Sequence, residues 1–215
     1  MKYLLSLLLI TAFSVTAFAQ FDLGKFIRPG VRFMYMLSGD GDEPYTFFLT
    51  IKDKKGTSFT WELDDNEKTT KGTILHTAKA LADAQAMNTV LKPGTKKLDD
   101  KTLSLWLSQV LFNHFEEKRG TPIKVYMSGM KEPAYNMGTH TGTLKLKISV
   151  DGKDQVIREE IVESLVKYDG SHYERKDNSE YFTYYPDKSF PLILRMSGDF
   201  TIELLSVTSP KKKSK

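Results

Sequence analysis

The chain has 215 residues, with 31 Lys and Arg against 27 Asp and Glu, 40% hydrophobic residues and no Cys. This composition excludes a wholly disordered chain, and the absence of Cys excludes disulfides, thiol nucleophiles and thiolate metal sites. The formal charge of +4 would suit a nucleic-acid partner, but five lysines lie at the two ends of the chain: Lys2, Lys211, Lys212, Lys213 and Lys215. Without them 26 basic residues stand against 27 acidic ones, so we expect no nucleic-acid partner.

The N-terminus has the three parts of a secretory signal peptide. Lys2 supplies a basic start, residues 4–15 form an apolar run, and Ala17-Phe18-Ala19 is a small-residue cleavage site. The apolar run is shorter than the ~20 residues that a membrane-spanning helix needs. We therefore predict a signal peptide over 1–19, export to the periplasm or the outside of the cell, and no transmembrane segment after cleavage.

Three strands are predicted after the signal peptide. Apolar and polar residues alternate over 31–37, 45–51 and 58–63, and this period of two is typical of strands with one buried face. The turn at 53–56 ends in Gly56, which can adopt a positive φ, and it predicts a hairpin between the second and third strands.

The middle of the chain is predicted to be helical. Residues 77–86 are rich in Ala, and Thr77 can cap a helix there. Apolar residues recur at helical spacing from Leu103 to Phe115, which predicts a second helix. Its first part also alternates like a strand, and Ser108 can cap a shorter helix. We predict a helix over 109–118 and leave 102–107 open between helix and strand.

The last third returns to strands. Alternation predicts strands near 123–127 and 144–150, a turn at Asp151-Gly152, and a closing hairpin of 192–196 and 200–204. Residues 156–168 suit either a helix or a strand, and their β-branched residues favour a strand with a bulge. The basic end, 210–215, is too polar to pack and is predicted to be disordered.

The order of strands, helices and strands predicts the fold class. The connections are short and no βαβ alternation occurs, so a doubly wound fold is disfavoured. We predict a single α+β domain over 20–209, a mainly antiparallel curved sheet or half-barrel with one or two helices packed on it.

Motifs for catalysis or metal binding are missing. The sequence contains no G-x-S-x-G elbow and no phosphate-binding glycine loop. Its histidines, His76, His114, His140 and His172, form no metal-binding motif, so we interpret them as surface or loop residues. We expect His114, on the apolar stripe of a helix, to be partly buried and hydrogen-bonded. No catalytic residue, metal site or cofactor is predicted.

Several strands carry large apolar residues on both faces. Met34, Met36, Phe48 and Leu205 stand where an ordinary sheet would present polar side chains to water. Such a second apolar face needs cover from the helices, a ligand or a partner. Because Met adapts to varied apolar shapes, we name these four residues as candidate ligand-binding residues.

The closing segment carries a resemblance. Residues 184–196, Tyr-Tyr-Pro-Asp-Lys-Ser-Phe-Pro-Leu-Ile-Leu-Arg-Met, followed by Phe200-Thr201-Ile202-Glu203-Leu204, resemble the closing hairpin of uncharacterised exported proteins of Bacteroides-like bacteria. Those proteins look similar to half-barrel sheets of the lipoprotein-carrier type. The resemblance implies export and an antiparallel sheet, and it favours a strand over 102–107. It carries over no functional residue.

Three functions remain open at this point. The leading hypothesis is an exported, non-catalytic protein that binds an apolar small molecule or a lipid-like ligand in a curved sheet. The first alternative is a cell-envelope interaction module that uses exposed aromatics such as Tyr181 and Tyr184. The second is a hydrolase whose site is not visible in the sequence. The oligomeric state is not predicted.

Overall fold

A computed structural model describes most of the chain, over residues 20–39, 43–53, 55–64, 68–127, 134–138, 144–168, 173–175, 181–198 and 200–210. The predicted signal peptide (1–19), residues 211–215 of the predicted tail, His140 and His172 lie outside these residues.

Most of the described residues lie in strands, and three short helices occur between them. The helices are α1 (Leu23–Phe26), α2 (Ala78–Asp83) and α3 (Gln109–Glu117). The strands are β1 (Arg32–Gly39), β2 (Tyr45–Ile51), β3 (Ser58–Asp64), β4 (Thr69–Leu75), β5 (Ala86–Met87), β6 (Gly94–Lys97), β7 (Thr102–Leu103), β8 (Ile123–Met127), β9 (Ala134–Gly138), β10 (Leu144–Val150), β11 (Lys153–Tyr168), β12 (Tyr173–Arg175), β13 (Tyr181–Tyr184), β14 (Ile193–Ser197) and β15 (Phe200–Thr208).

The predicted α+β class is consistent with this structure, although the structure is richer in strands than we expected. The main path of the sheet runs β6-β4-β3-β2-β1-β15-β14-β13-β11-β9-β8. Most neighbours pair antiparallel, as predicted, while β4·β6 and β10·β15 pair parallel.

Strand β10 closes part of the sheet into a small barrel. It pairs with β11 along its whole length and with β15 through Ser149 and Val150. The ring β15-β14-β13-β11-β10 is therefore continuous. Strand β11 makes this closure possible because its 16 residues pair with β10 over 153–159 and with β13 over 160–163. The preferred strand for 156–168 is confirmed, with the predicted bulge between Leu165 and Lys167.

The predicted alternation sets the faces of the first strands. Phe33 and Tyr35 of β1 are fully buried, and they alternate with half-buried residues. Strands β2 and β3 repeat the pattern with Leu49 and Trp61, and their buried residues belong to one apolar core with the inner faces of β14 and β15.

Both main helices begin at the predicted caps. The side chain of Thr77 accepts a hydrogen bond from the backbone N–H of Ala80, and Ser108 accepts one from Leu111, each satisfying a free N–H in the first turn. Helix α3 packs Leu111 and Phe115 into the core. No helix in the described part of the chain is long and apolar enough to cross a membrane.

The open segment 102–107 is not helical, and the helix begins only after Ser108. Thr102 and Leu103 form β7, Ser104 and Leu105 form a bend, and Trp106 makes an isolated antiparallel bridge with Leu192. The strand alternative is therefore correct for 102–103 only. Strands β4, β5, β6, β9 and β12 were not predicted.

Candidate ligand site

A small apolar cavity lies where β1 ends and β15 begins. Its volume is about 60 Å³. Leu37, Ile202 and Met196 form its floor as one cross-strand row, because Leu37 pairs with Ile202 and Ile202 pairs with Met196. The remaining lining residues are Phe47, Asn88, Thr89, Leu91, Ser104, Leu105 and Phe200. The cavity thus lies on the inner face of the sheet, among the core side chains.

Two loops cover this cavity, and their polar groups bond to each other. The hydroxyl of Ser104 donates to the carbonyl oxygen of Asn88 at 2.9 Å, and the Asn88 amide donates to the Val90 carbonyl at 2.8 Å. The backbone N–H of Asn88 donates to the Leu103 carbonyl at 2.6 Å. Because these groups are already paired, the cavity offers a ligand mainly apolar contacts.

The first of these loops contains residues 88–91. The second contains Ser104 and Leu105 and belongs to the segment 104–107, which we call the strap. The N–H of Ile193 donates to the Leu105 carbonyl at 3.1 Å, and the N–H of Leu107 donates to the Pro191 carbonyl at 3.0 Å. Leu105 adopts a φ of 55°, a left-handed conformation that costs a non-glycine residue about 1–2 kcal/mol. The strap is therefore held to the chain before β14 in a locally strained form.

A buried histidine anchors the start of the strap. His76 lies in the loop between β4 and α2 and is 6% exposed, so of the two predicted positions, surface or loop, only the loop applies to it. Its Nδ1 lies 2.7 Å from the Gly56 carbonyl and its Nε2 accepts the N–H of Ser104 at 3.1 Å, which makes it a neutral ring with the proton on Nδ1. Burial lowers the pKa of His76, which favours this neutral form.

A wider groove lies on the other side of the strap. It has a volume of about 730 Å³, within the range of small-molecule sites. Trp106 and Leu107 of the strap lie against it, and the other lining residues are Lys55, Ala78, Leu81, Ala82, Gln109, Asp187, Lys188, Ser189 and Pro191. The strap therefore separates a closed apolar cavity from an open groove with lysines.

The four candidate ligand residues lie on the other face of the sheet from the cavity. Met34 and Met36 alternate with buried Phe33 and Tyr35, and both are half-buried, like Phe48. Met34 pairs across strands with Phe48, and the Arg32 guanidinium lies 3.7 Å from the centre of the Phe48 ring.

Leu205 lies on a neighbouring strand and is 37% exposed. These four side chains are not sealed beneath the helices, and their role in binding a ligand stays a prediction.

The two aromatic residues named for partner binding differ in exposure. Tyr184 is 1% exposed, so its assignment as an exposed aromatic is wrong. Its hydroxyl donates to Glu116 Oε1 at 2.7 Å, which ties β13 to α3. Tyr181 is half-buried. His114 behaves as predicted, half-buried with Nε2 2.9 Å from the Thr121 carbonyl.

Acidic residues of β11 lie on its two opposite faces. Glu159 borders a cleft of about 210 Å³, where it accepts the Thr183 hydroxyl at 2.8 Å and lies 3.6 Å from Arg195. Glu160 pairs with Arg119 and Arg158 on the other face. These carboxylates are held by cations rather than by each other. The described residues contain no group of three or more His, Asp or Glu that could hold a metal ion.

Sequence reasoning missed most of the cavity lining. Asn88, Leu91 and Ser104 lie in irregular segments, where no periodicity marks a face. Leu37 and Ile202 lie in the predicted strands 31–37 and 200–204, and only their pairing places them in one row. Comparisons with known protein families, curated proteins and solved structures gave no match.

Proposed function

We propose that this chain is an exported, non-catalytic protein that binds an apolar ligand in the cavity beneath the strap. One observation carries the proposal, namely an apolar cavity on the inner face of a curved sheet, covered by two loops. Cavities lined by apolar groups can stay dry and take up apolar molecules. The proposal moves the ligand from the Met34 and Phe48 face to the inner face of the same strands.

The volume of the cavity limits what it can hold. About 60 Å³ suits the end of an aliphatic chain or a small apolar group, and is far below the ~300 Å³ at which small-molecule pockets begin. A longer ligand requires the strap or the loop 88–91 to move outward. Val90 in that loop is 48% exposed and the strap is strained at Leu105, so both segments can be displaced without breaking a strand.

Binding is tested with N-phenyl-1-naphthylamine, a neutral apolar dye whose fluorescence rises on burial. The dye is larger than the cavity of about 60 Å³, so its binding also requires the strap or the loop 88–91 to move outward. We expect the purified protein to bind the dye saturably. Leu91→Trp fills the cavity from the loop side and should weaken binding about tenfold or more, the equivalent of about 1.4 kcal/mol. Leu144→Phe is the matched control, because Leu144 is 38% exposed and lies outside the cavity.

Dye fluorescence that never saturates, or equal affinity in Leu91→Trp and Leu144→Phe, would contradict the proposed cavity site. Circular dichroism of both variants confirms that each one is folded. Native mass spectrometry of protein purified from its own cell envelope adds an independent readout, in which a bound apolar molecule should appear as added mass.

Export is supported by the basic start, the apolar run and the Ala-x-Ala site at the N-terminus. Expression of the full chain should yield a secreted or periplasmic product whose mass corresponds to a chain beginning at Gln20. Ala19→Arg should block cleavage and leave a larger product. Recovery of the uncleaved chain in the cytosol would refute the export part of the proposal while leaving the cavity to be judged by the dye.

A further inference from the structure

The groove on the outer side of the strap combines an apolar floor with unpaired positive charge. Trp106 and Leu107 are almost completely buried beneath it, and Leu81 of α2 lies at its side, half-buried. Its apolar lining is completed by Ala78, Ala82 and Pro191. This surface can hold an aliphatic chain, since apolar area removed from water is the main favourable contribution to binding of this kind.

Two lysines border this floor. Lys55 follows the β2 strand and Lys188 precedes β14, so residues far apart in sequence come to one groove. Among the described residues neither ammonium forms an ion pair. Asp187 also borders the groove, but its Oδ1 accepts the N–H and the hydroxyl of Ser189, at 2.8 and 2.6 Å. The three charged groups together leave one positive charge.

The N-terminal end of α3 adds to the positive charge at this groove. Gln109, the first residue of this nine-residue helix, lines the groove, and its side-chain amide donates to the Lys188 carbonyl at 2.7 Å. The N-terminal end of a helix carries partial positive charge and favours an anion. The hydrogen bond also holds the Lys188 backbone beside the helix end. Charge and backbone geometry therefore favour a negative group at this end of the groove.

We propose that the groove binds a long-chain fatty acid, with the carboxylate between Lys55 and Lys188 and the chain along Ala78, Leu81 and Ala82 of α2. The two exposed ammonium groups favour a negatively charged head group on such a chain over a neutral one. A nucleic acid would find two lysines beside an apolar surface, too few charges for phosphate-dominated binding. The volume of about 730 Å³ suits one chain. This site is separate from the cavity and does not rest on the proposed function.

The proposal is tested by calorimetry with laurate, with dodecanol of the same chain length, and with acetate. The wild-type protein should bind laurate about two- to tenfold more tightly than dodecanol, because each exposed lysine contributes only a modest charge pair. Acetate should bind too weakly to measure, since it lacks the chain. Equal affinities for laurate and dodecanol, or competition by acetate at the same concentration as laurate, would overturn the proposal.

A charge-removing pair of substitutions, Lys55→Gln with Lys188→Gln, should weaken laurate binding about two- to tenfold and leave dodecanol unchanged. Lys145→Gln with Lys153→Gln is the matched control, because both lysines are exposed on β10 and β11, away from the groove. Laurate affinity that is the same in both double variants would overturn the proposal. Binding of N-phenyl-1-naphthylamine in the cavity should be unaffected by either pair, which keeps this test independent of the cavity.

Discussion

At the scale of single residues, His76 connects three parts of the chain. Its ring accepts the N–H of Ser104 in the strap and donates to Gly56 in the turn after β2, and Phe59 packs edge-on against it at 5.5 Å. Protonation of Nε2 would replace an acceptor with a second donor facing the Ser104 N–H. The strap is thus held by a group that must remain neutral.

This arrangement predicts how stability depends on pH. Burial lowers the folded-state pKa of His76 below its ordinary value of 6.5, against the weaker opposing effects of Gly56 and Asp53. The stabilisation that the neutral His76 provides is therefore complete above pH 6.5. As the pH falls below this value the free energy of unfolding decreases, by at most about 1.4 kcal/mol per pH unit. Urea unfolding at pH 5 and 7.5 should show this loss in the wild type but not in His76→Gln.

His114→Gln is the comparison variant for the same measurement, because His114 is a half-buried residue of α3 that bonds Thr121 and not the strap. It keeps the buried acceptor of the Ser104 N–H, which only His76→Gln alters. The assignment would be contradicted by a His76→Gln variant whose unfolding free energy falls with pH as steeply as that of the wild type.

At the scale of elements, two turns each contain a glycine with a positive φ, and they differ in how closely other atoms pack against that glycine. Gly56 has a φ of 71°, and a Cβ there would lie 2.5 Å from Cζ2 of Trp106. Gly152, between β10 and β11, has a φ of 80° and no atom within 4 Å of such a Cβ. The first turn is thus packed against the strap, and the second one is open.

Replacing each glycine by Ala should therefore have unequal effects. Gly152→Ala meets only the left-handed conformation and should lower the free energy of unfolding by about 1–2 kcal/mol. Gly56→Ala adds a clash with the Trp106 ring and should cost roughly 2 kcal/mol more. Denaturant unfolding of the two variants measures the difference. Equal losses would show that Trp106 moves aside without cost.

At the scale of the whole molecule, a buried ionic network joins α3 to the closed part of the sheet. Glu160 of β11 lies 3.0 Å from Arg119, which lies 3.0 Å from Glu116, and Glu116 accepts the Tyr184 hydroxyl. Burial alone would raise the pKa of Glu160, but hydrogen bonds from Arg158 and Arg119 outweigh it and lower the pKa. The helix and two barrel strands are therefore linked by a charged carboxylate.

Glu160→Gln should destabilise the protein by about 2–3 kcal/mol at pH 7, because Arg158 loses its charged partner and Arg119 keeps only Glu116. The difference from wild type should shrink as the pH falls below 4.5, the ordinary value for Glu, since the folded-state pKa is lower. Asp154→Asn breaks the exposed pair with Lys147 and should cost less than about 1 kcal/mol. Similar losses in both variants, measured by urea unfolding, would refute a structural role for the network.

Much of the local structure follows from the sequence. Thr77 and Ser108 cap helices at the predicted positions, and alternation identifies the inward residues of β1, β2 and β3. These features depend on neighbours within a few residues, since caps and period-two patterns are local. The α+β class follows from their order along the chain.

The tertiary structure alone decides the barrel closure and the two binding surfaces. The parallel contact of β10 with β15 joins residues more than fifty positions apart, and no local pattern encodes it. His76, Ser104 and Gly56 meet only because the strap crosses the end of β4, and Lys55 and Lys188 line one groove only because distant segments pack beside the same strap. The sequence by itself determined the caps of α2 and α3, the strands β1–β3 and which of their sides is buried, because short-range hydrogen bonding and hydrophobic periodicity control these features. Long-range pairing decided which of those buried residues surround an empty space, because a cavity depends on how distant segments fit together.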